Sequence, residues 1–197
     1  MFSKHVLVGQ TGTVFMLAIF TVLWAISTPV YIGWNPLTIA CLAVFAIYAI
    51  WLYIAAIKLM CAIRKLPSSS PAKGEKHIGK SFLFIFVIEI ILIIGAIVVL
   101  NILGKPDYVA VTIIFIIGAH GVPLAGIFKK RVHIVIGIIM MIDAVVAIVL
   151  ITSNQQADRA IGVCTLVATV CIAIWGAIFY ASPKRESKPV EKAVGKP

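Results

Sequence analysis

Long runs of apolar residues fill most of this chain and are separated by short polar connections. A helix needs about 20 mostly apolar residues to cross the hydrocarbon core of a bilayer. Six runs reach that length, so the pattern predicts an all-α fold, a polytopic membrane helical bundle with six transmembrane helices. The predicted spans cover residues 8–31, 37–63, 81–103, 109–128, 132–152 and 159–180.

Two other interpretations of these runs are less favoured. The strands of a membrane barrel alternate apolar and polar residues over about ten positions, and runs such as residues 90–100 show no alternation. The first span follows Lys4 and resembles a signal peptide. Its apolar run exceeds the usual length of about 7–15 residues, so we expect an uncleaved anchor. Cleavage would leave five spans.

Composition and charge agree with a membrane protein and suggest its orientation. The chain is 62% hydrophobic and 12% charged, whereas a soluble domain is about 25% charged. Of the 17 basic residues, fifteen fall on one predicted side and two, Lys105 and Arg159, on the other. Because cytoplasmic loops carry the excess of Lys and Arg, we expect both termini in the cytoplasm. The net charge of +10 then follows from topology and requires no nucleic acid partner.

The polar segments divide the chain into a transmembrane domain, residues 1–181, and a tail, residues 182–197. The tail is rich in Pro, Lys and Glu, which predicts a disordered basic cytoplasmic segment. The longest connection, residues 66–80, is rich in Ser, Pro and Lys and is predicted to be flexible. The four cysteines lie in predicted spans without a C-x-x-C pair, which indicates no disulfide framework.

Two carboxylates and one histidine lie inside three consecutive predicted spans: Glu89, His120 and Asp143. At about 1.5 Å of rise per residue, each lies roughly 12–17 Å from the predicted cytoplasmic boundary, near the middle of a core about 30 Å thick. Ionisable residues at that depth are costly and usually functional. Because the three spans are sequential and antiparallel, we expect these side chains to converge on one proton- or cation-binding site.

This trio has two interpretations that the sequence leaves open. In the first, Glu89 or Asp143 carries a proton and His120 is its partner. In the second, the same groups form an interhelical hydrogen-bond clamp, and such bonds contribute about 1 kcal/mol or less.

The fourth span contains a segment rich in Gly and Pro around His120. Pro123 has no N–H group, so the carbonyl of Ala119 loses its partner in the helix. We expect Gly118, Gly121 and Pro123 to form a helix break that supports the site, as broken helices do in transporters. The alternative is a proline kink with ordinary glycine packing.

Sequence motifs for catalysis are not found in this chain, which contains no H-E-x-x-H, G-x-S-x-G or Walker segment. One histidine and two acids are a poor zinc set, because catalytic zinc usually takes three protein ligands, mostly nitrogen or sulfur. We therefore expect no catalytic residues, no metal site and no cofactor.

The segment G-x-H-x-x-P-L-A-x-x-F, residues 118–128, is similar to one in uncharacterised small bacterial membrane proteins with six spans. Glu89 in the third span, and Asn101, Gly104 and Pro106 near its end, also resemble that group. The resemblance extends over the third to fifth spans. It implies a six-span topology and a plasma (inner) membrane of bacteria, and it implies no transferable function.

Together these features favour a small multi-pass permease or channel-like carrier with a proton- or cation-binding site at mid-membrane. The expected partners are the lipid bilayer and an unknown small solute or ion. Because small transporters often pair, a second copy in a homodimer is also expected. The alternative is a non-transporting membrane protein for assembly, immunity or stress response, whose buried polar residues are structural. An intramembrane enzyme is the third class.

Overall fold

The described residues of the protein form six α-helices in the computed structural model. The structure describes the backbone of residues 4–65, 73–128, 130–153 and 156–194, and the side chains of residues 7–65, 80–128, 130–153 and 156–181. The helices in these ranges are α1 (Lys4–Ile32), α2 (Pro36–Arg64), α3 (Lys73–Ile102), α4 (Asp107–Phe128), α5 (Val132–Thr152) and α6 (Ala157–Val194).

Each of the six helices is long and apolar enough to cross a membrane, which confirms the predicted all-α, six-span architecture. The spans are Leu7–Ile32, Pro36–Arg64, Lys80–Ile102, Asp107–Phe128, Val132–Thr152 and Ala157–Ala181. Large aliphatic side chains are exposed along α2, α3 and α5. The protein is therefore a multi-pass membrane protein whose outer surface contacts lipid.

The turn between α1 and α2 shows how local chemistry sets the helix ends. Gly33 has a φ of +103°, in the left-handed region that favours glycine. The side chain of Asn35 then caps α2 by accepting hydrogen bonds from the backbone N–H groups of Leu37 and Thr38, at 3.0 and 3.1 Å. Pro36 occupies the first turn, where a helix needs no N–H donor.

Two helices extend beyond the predicted spans. α3 begins at Lys73, inside the connection predicted to be flexible, and α6 continues to Val194, through most of the tail predicted to be disordered. Lys, Glu and Ala are good helix formers, so helical backbone can continue where the apolar pattern has ended. Residues 66–72 and 195–197 lie outside the described residues, as do 1–3, 129 and 154–155.

α6 lies at the centre of the bundle and contacts α1, α2, α4 and α5. In its most apolar stretch 61% of the residues are buried, whereas none are buried in that of α3. Thr165 and Thr169 on α6 are fully buried, and the hydroxyl of Thr165 lies 3.3 Å from that of Thr28 on α1. Such small side chains let α6 approach its neighbours closely.

α3 lies at the edge of the bundle. It packs against α4 and, to a lesser extent, against α1. Its large aliphatic side chains are mostly exposed, as at Leu83, Ile91 and Ile94. Most of the surface of α3 therefore faces lipid. Glu89, the acidic residue in the middle of this span, can be shielded only on the side of α3 that packs against α4 and α1.

Candidate functional site in two membrane cavities

Glu89 on α3 and His120 on α4 face each other across the contact between these helices. The Nδ1 atom of His120 lies 2.6 Å from the Oε2 atom of Glu89. The side chains of His120 and Glu89 are 9% and 14% exposed, so the pair is largely shielded. The two atoms are at ion-pair distance but are not aligned as a straight hydrogen bond. With one proton, on either the imidazole or the carboxyl group, the pair is electrically neutral.

This pair lines a cavity of about 490 Å³ between α1, α3, α4 and α6, here called the Glu89 cavity. It lies in the half of the bundle where α1 and α3 begin and where α4 and α6 leave the membrane. A volume of this size suits a small organic molecule. The wall is mostly apolar, and its aromatic rings come from Phe20 of α1, Phe82 and Phe86 of α3, and Trp175 and Phe179 of α6.

His133, near the start of α5, positions part of that wall. The indole N–H of Trp175 donates a hydrogen bond of 2.5 Å to Nδ1 of His133, and the ring of Phe179 stacks on the imidazole at a centroid distance of 5.0 Å. Because Nδ1 accepts this bond, the neutral imidazole carries its proton on Nε2. Nε2 has no hydrogen-bond partner in the described part of the chain.

Reasoning from the sequence missed His133. Next to Arg131 and at the start of a span, it has the pattern of a residue at the membrane boundary. In the structure it is only 1% exposed, because Trp175 and Phe179 of α6 and Phe128 of α4 lie against it. The sequence signal for a contact of His133 with the sixth span is the pair of aromatic residues Trp175 and Phe179, which lie at a similar depth in the membrane.

α4 and α5 pack backbone to backbone through three glycines. A methyl group on Gly118 would lie 2.8 Å from the carbonyl oxygen of Gly137, and one on Gly121 would overlap the carbonyl oxygen of His133. A larger residue at either position would force the two helices apart. Gly118 and Gly121 therefore act as packing contacts that hold His120 at a set distance from α5.

α4 stays helical through Pro123, so the predicted helix break is not observed as an interruption. The helix runs from Asp107 to Phe128 with the proline inside it. The missing N–H of Pro123 removes one backbone hydrogen bond, and neighbouring helices can sustain a membrane helix that contains proline. Of the two alternatives for this segment, a proline within a packed, glycine-rich helix describes α4.

Asp143 on α5 lies apart from the Glu89–His120 pair and faces the thiol of Cys164 on α6. The glycine contacts place His120 opposite about residue 137 of α5, so Asp143 is about six residues, or roughly 9 Å, farther along the bundle. Counting residues along a helix gives an approximate depth but not the direction in which a side chain points. The structure thus brings two members of the expected trio together and places the third elsewhere.

The cavity that Asp143 lines has a volume of about 600 Å³ and is here called the Asp143 cavity. It is formed by the second half of α5, the start of α6 and Gln156, in the opposite half of the bundle from the Glu89 cavity. Arg159 also lines it and donates a hydrogen bond of 2.8 Å to the side-chain oxygen of Gln156. The Oδ2 atom of Asp143 has no hydrogen-bond partner among the described residues.

Metal binding is not indicated by the side chains that the structure describes, since no three His, Cys, Asp or Glu residues among them are grouped closely enough to hold an ion. The Glu89–His120 pair offers two ligands, fewer than the three usual for catalytic zinc.

No protein-family model, curated protein or solved structure matches this chain. The resemblance to six-span bacterial proteins is therefore limited to the six apolar helices, and no family is identified. The function is inferred below from the cavities and their side chains.

Proposed function

We propose that this protein is a small permease or channel-like carrier whose proton- or cation-binding site is the Glu89–His120 pair. The observation that carries the proposal is the 2.6 Å contact between these side chains on the wall of a cavity of about 490 Å³. A carboxylate at this depth is costly unless it is paired or bound. A carboxylate that pairs with a histidine beside an apolar cavity can exchange a proton for a ligand.

Asp143 is proposed as a second protonatable group, serving the opposite half of the bundle. Each of the two cavities contains one acid from the middle of a span. Cavities in opposite halves would let a solute or proton approach the centre from either side in turn, as alternating access requires. The buried residues Ile117 and Met140 lie between the two acids in height and would form the barrier.

The orientation and location follow from charge and remain part of the proposal. With the basic residues on the cytoplasmic side, both termini are cytoplasmic and the Glu89 cavity belongs to the cytoplasmic half. The Asp143 cavity then belongs to the outer half of a bacterial inner membrane. The carrier works either as a monomer or as the homodimer that small transporters often form.

The test of this function is transport by purified protein in proteoliposomes with an imposed pH gradient. Uptake of a panel of amino acids, sugars and organic cations is measured together with proton movement reported by an internal pH dye. Glu89→Gln should reduce the flux to that of protein-free liposomes. Asp107→Asn removes an exposed acid at the start of α4 and is the matched control. Equal flux in Glu89→Gln and the unmodified protein would contradict the proposal, and so would no flux of any solute.

A second candidate function is favoured by the edge position of α3. No residue in the most apolar stretch of α3 is buried, and the Glu89–His120 contact joins this helix to α4 together with the ring contact of Phe82 with Phe128. The pair could then be a structural clamp in a non-transporting assembly or stress-response protein. In that case Glu89→Gln should lower the melting temperature in detergent and change nothing else.

A further inference from the structure

We infer that the Glu89 cavity binds a hydrophobic monovalent organic cation, such as an amine or a phosphonium with apolar groups, in exchange for one proton. This inference rests on the proposed function, because it assigns a class of ligand to the same site. Neither an apolar cavity nor a buried acid would identify such a ligand alone. Three features of the cavity together do so.

The first feature is the wall, which contains aromatic rings from α1, α3 and α6. Phe82 and Phe86 of α3 lie parallel, with centroids 6.5 Å apart, and Phe179 and Trp175 are fixed on the opposite side by His133. Since the N–H of Trp175 is engaged by His133, its donor is directed away from a ligand. Aromatic faces attract cations and pack against apolar groups.

The second feature is the charge of the lining. Among the described residues that line the cavity from α1, α3, α4 and α6, Glu89 and His120 are the two with ionisable side chains. An anion would meet the carboxylate without a fixed positive charge to offset it. A dication would leave one positive charge unpaired at a depth where such charges are costly.

The third feature is the single proton that neutralises the pair. The carboxyl group of Glu89 and the imidazole of His120 have no net charge when they share one proton. A cation R⁺ that enters takes over the pairing with the carboxylate, and the proton leaves, so that the site passes from Glu89–H⁺–His120 to Glu89⁻·R⁺ with a neutral His120. One positive charge enters and one departs, and the buried site stays neutral.

The position of α3 provides an access route from lipid for such a ligand. α3 forms one wall of the cavity and makes only a limited contact with α1. Its other faces are covered by exposed aliphatic side chains. A cation dissolved in the bilayer interface can therefore reach the gap between α1 and α3 without first entering water.

The experiment uses a pair of probes with the same shape and opposite charge, tetraphenylphosphonium and tetraphenylborate. Binding to the purified full chain in detergent is measured by equilibrium dialysis, with protein-free micelles as background. Tetraphenylphosphonium should bind, with an affinity that rises with pH by up to about tenfold per unit. Glu89→Gln should lower the affinity by about tenfold or more, whereas Asp107→Asn should not change it.

Two measurements on the unmodified protein keep the inference testable if Glu89→Gln does not fold. Binding should release about one proton per cation into a weakly buffered solution, and tetraphenylborate, measured in a separate dialysis, should not bind above the background of protein-free micelles. Equal binding of both probes, with no proton released, would mean that the cavity accepts any apolar molecule, as it would a lipid chain. That result would overturn the inference.

The failure of this inference is distinguishable from the failure of the proposed function. If tetraphenylphosphonium binds through Glu89 but no solute crosses the membrane, the ligand class stands and the carrier function fails. If another solute is transported through Glu89 while tetraphenylphosphonium does not bind, the carrier function stands and the inference is overturned.

Discussion

The two cavities differ in how their acids are surrounded. Glu89 has an imidazole at 2.6 Å and lines a space enclosed by four helices and several aromatic rings. Asp143 faces a thiol and lines a space formed by two helices, with Arg159 nearby and one carboxyl oxygen unpartnered in the described residues. Both acids lie in the middle of a span, so their depth does not explain the difference.

This comparison shows that the chemistry of a membrane acid depends on its neighbours on other helices. A shielded carboxylate with a histidine partner can hold one proton and trade it for a ligand. Asp143 has only a thiol facing it, and its buried Oδ2 atom has no hydrogen-bond partner among the described residues, so its carboxylate gains less from its surroundings. We therefore propose the main site at Glu89 and a secondary role for Asp143.

The largest expected effect separates these two roles directly. Glu89→Gln should reduce transport to background, whereas Asp143→Asn should reduce it by a smaller factor, because Asp143 has no buried ionic partner to leave behind. The initial rate of uptake at matched protein density is the measurement. If Asp143→Asn is as inactive as Glu89→Gln, the two cavities contribute equally and the ranking is wrong.

The contact that separates the cavities can be tested by a single methyl group. Gly137→Ala would place its Cβ against the carbonyl oxygen of Gly118, and such overpacking should destabilise the bundle by about 1–3 kcal/mol. The control is Gly126→Ala on α4, where the added methyl group meets nothing within 4 Å and should not destabilise the bundle. Thermal unfolding in detergent compares the two. Equal melting temperatures would show that α4 and α5 are not tightly packed.

The wall of the Glu89 cavity should depend on His133. His133→Phe keeps an aromatic ring but leaves the buried N–H of Trp175 without an acceptor, at a cost of about 1–3 kcal/mol. The double variant with Trp175→Phe removes both partners and should recover much of that stability. The melting temperatures of the unmodified protein, the two single variants and the double variant make up a double-mutant cycle. A simple sum of the single effects would rule out the proposed contact.

The smallest expected effect concerns the stability contributed by Asp143. Asp143→Asn keeps the shape of the side chain and should lower the free energy of unfolding by only about 0.5 kcal/mol, the low end of the range for one hydrogen bond, because the buried Oδ2 atom already lacks a hydrogen-bond partner among the described residues. Its partner is a thiol, which is a weak donor. A loss above 1 kcal/mol in the same unfolding assay would indicate that Asp143 has a stronger partner and resembles Glu89 after all.

Much of the architecture was predictable because it depends on local properties. Six apolar runs predicted six spans, and the short connections predicted neighbours that run in opposite directions. The continuous helices through Pro123 and up to Val194 were not predicted. Composition identifies residues that weaken a helix, such as Pro123, but it does not show whether packing against other helices, or the helix propensity of neighbouring residues, keeps the segment helical.

The candidate site was predictable only in part. Residue counts placed Glu89, His120 and Asp143 near mid-membrane, and the first two do meet. The counts could not show that Asp143 turns toward α6, nor that His133 lies under Trp175 and Phe179. Those relations join residues up to 46 positions apart in the chain, as for His133 and Phe179.

The sequence by itself determined that this protein crosses a membrane six times and that three ionisable groups lie inside it. This is because hydrophobicity and helix length are properties of each segment alone. The tertiary structure decided which of those groups share a cavity. That depends on the rotation of each helix about its own axis, which is set by contacts such as the glycine packing of α4 on α5 and the central position of α6.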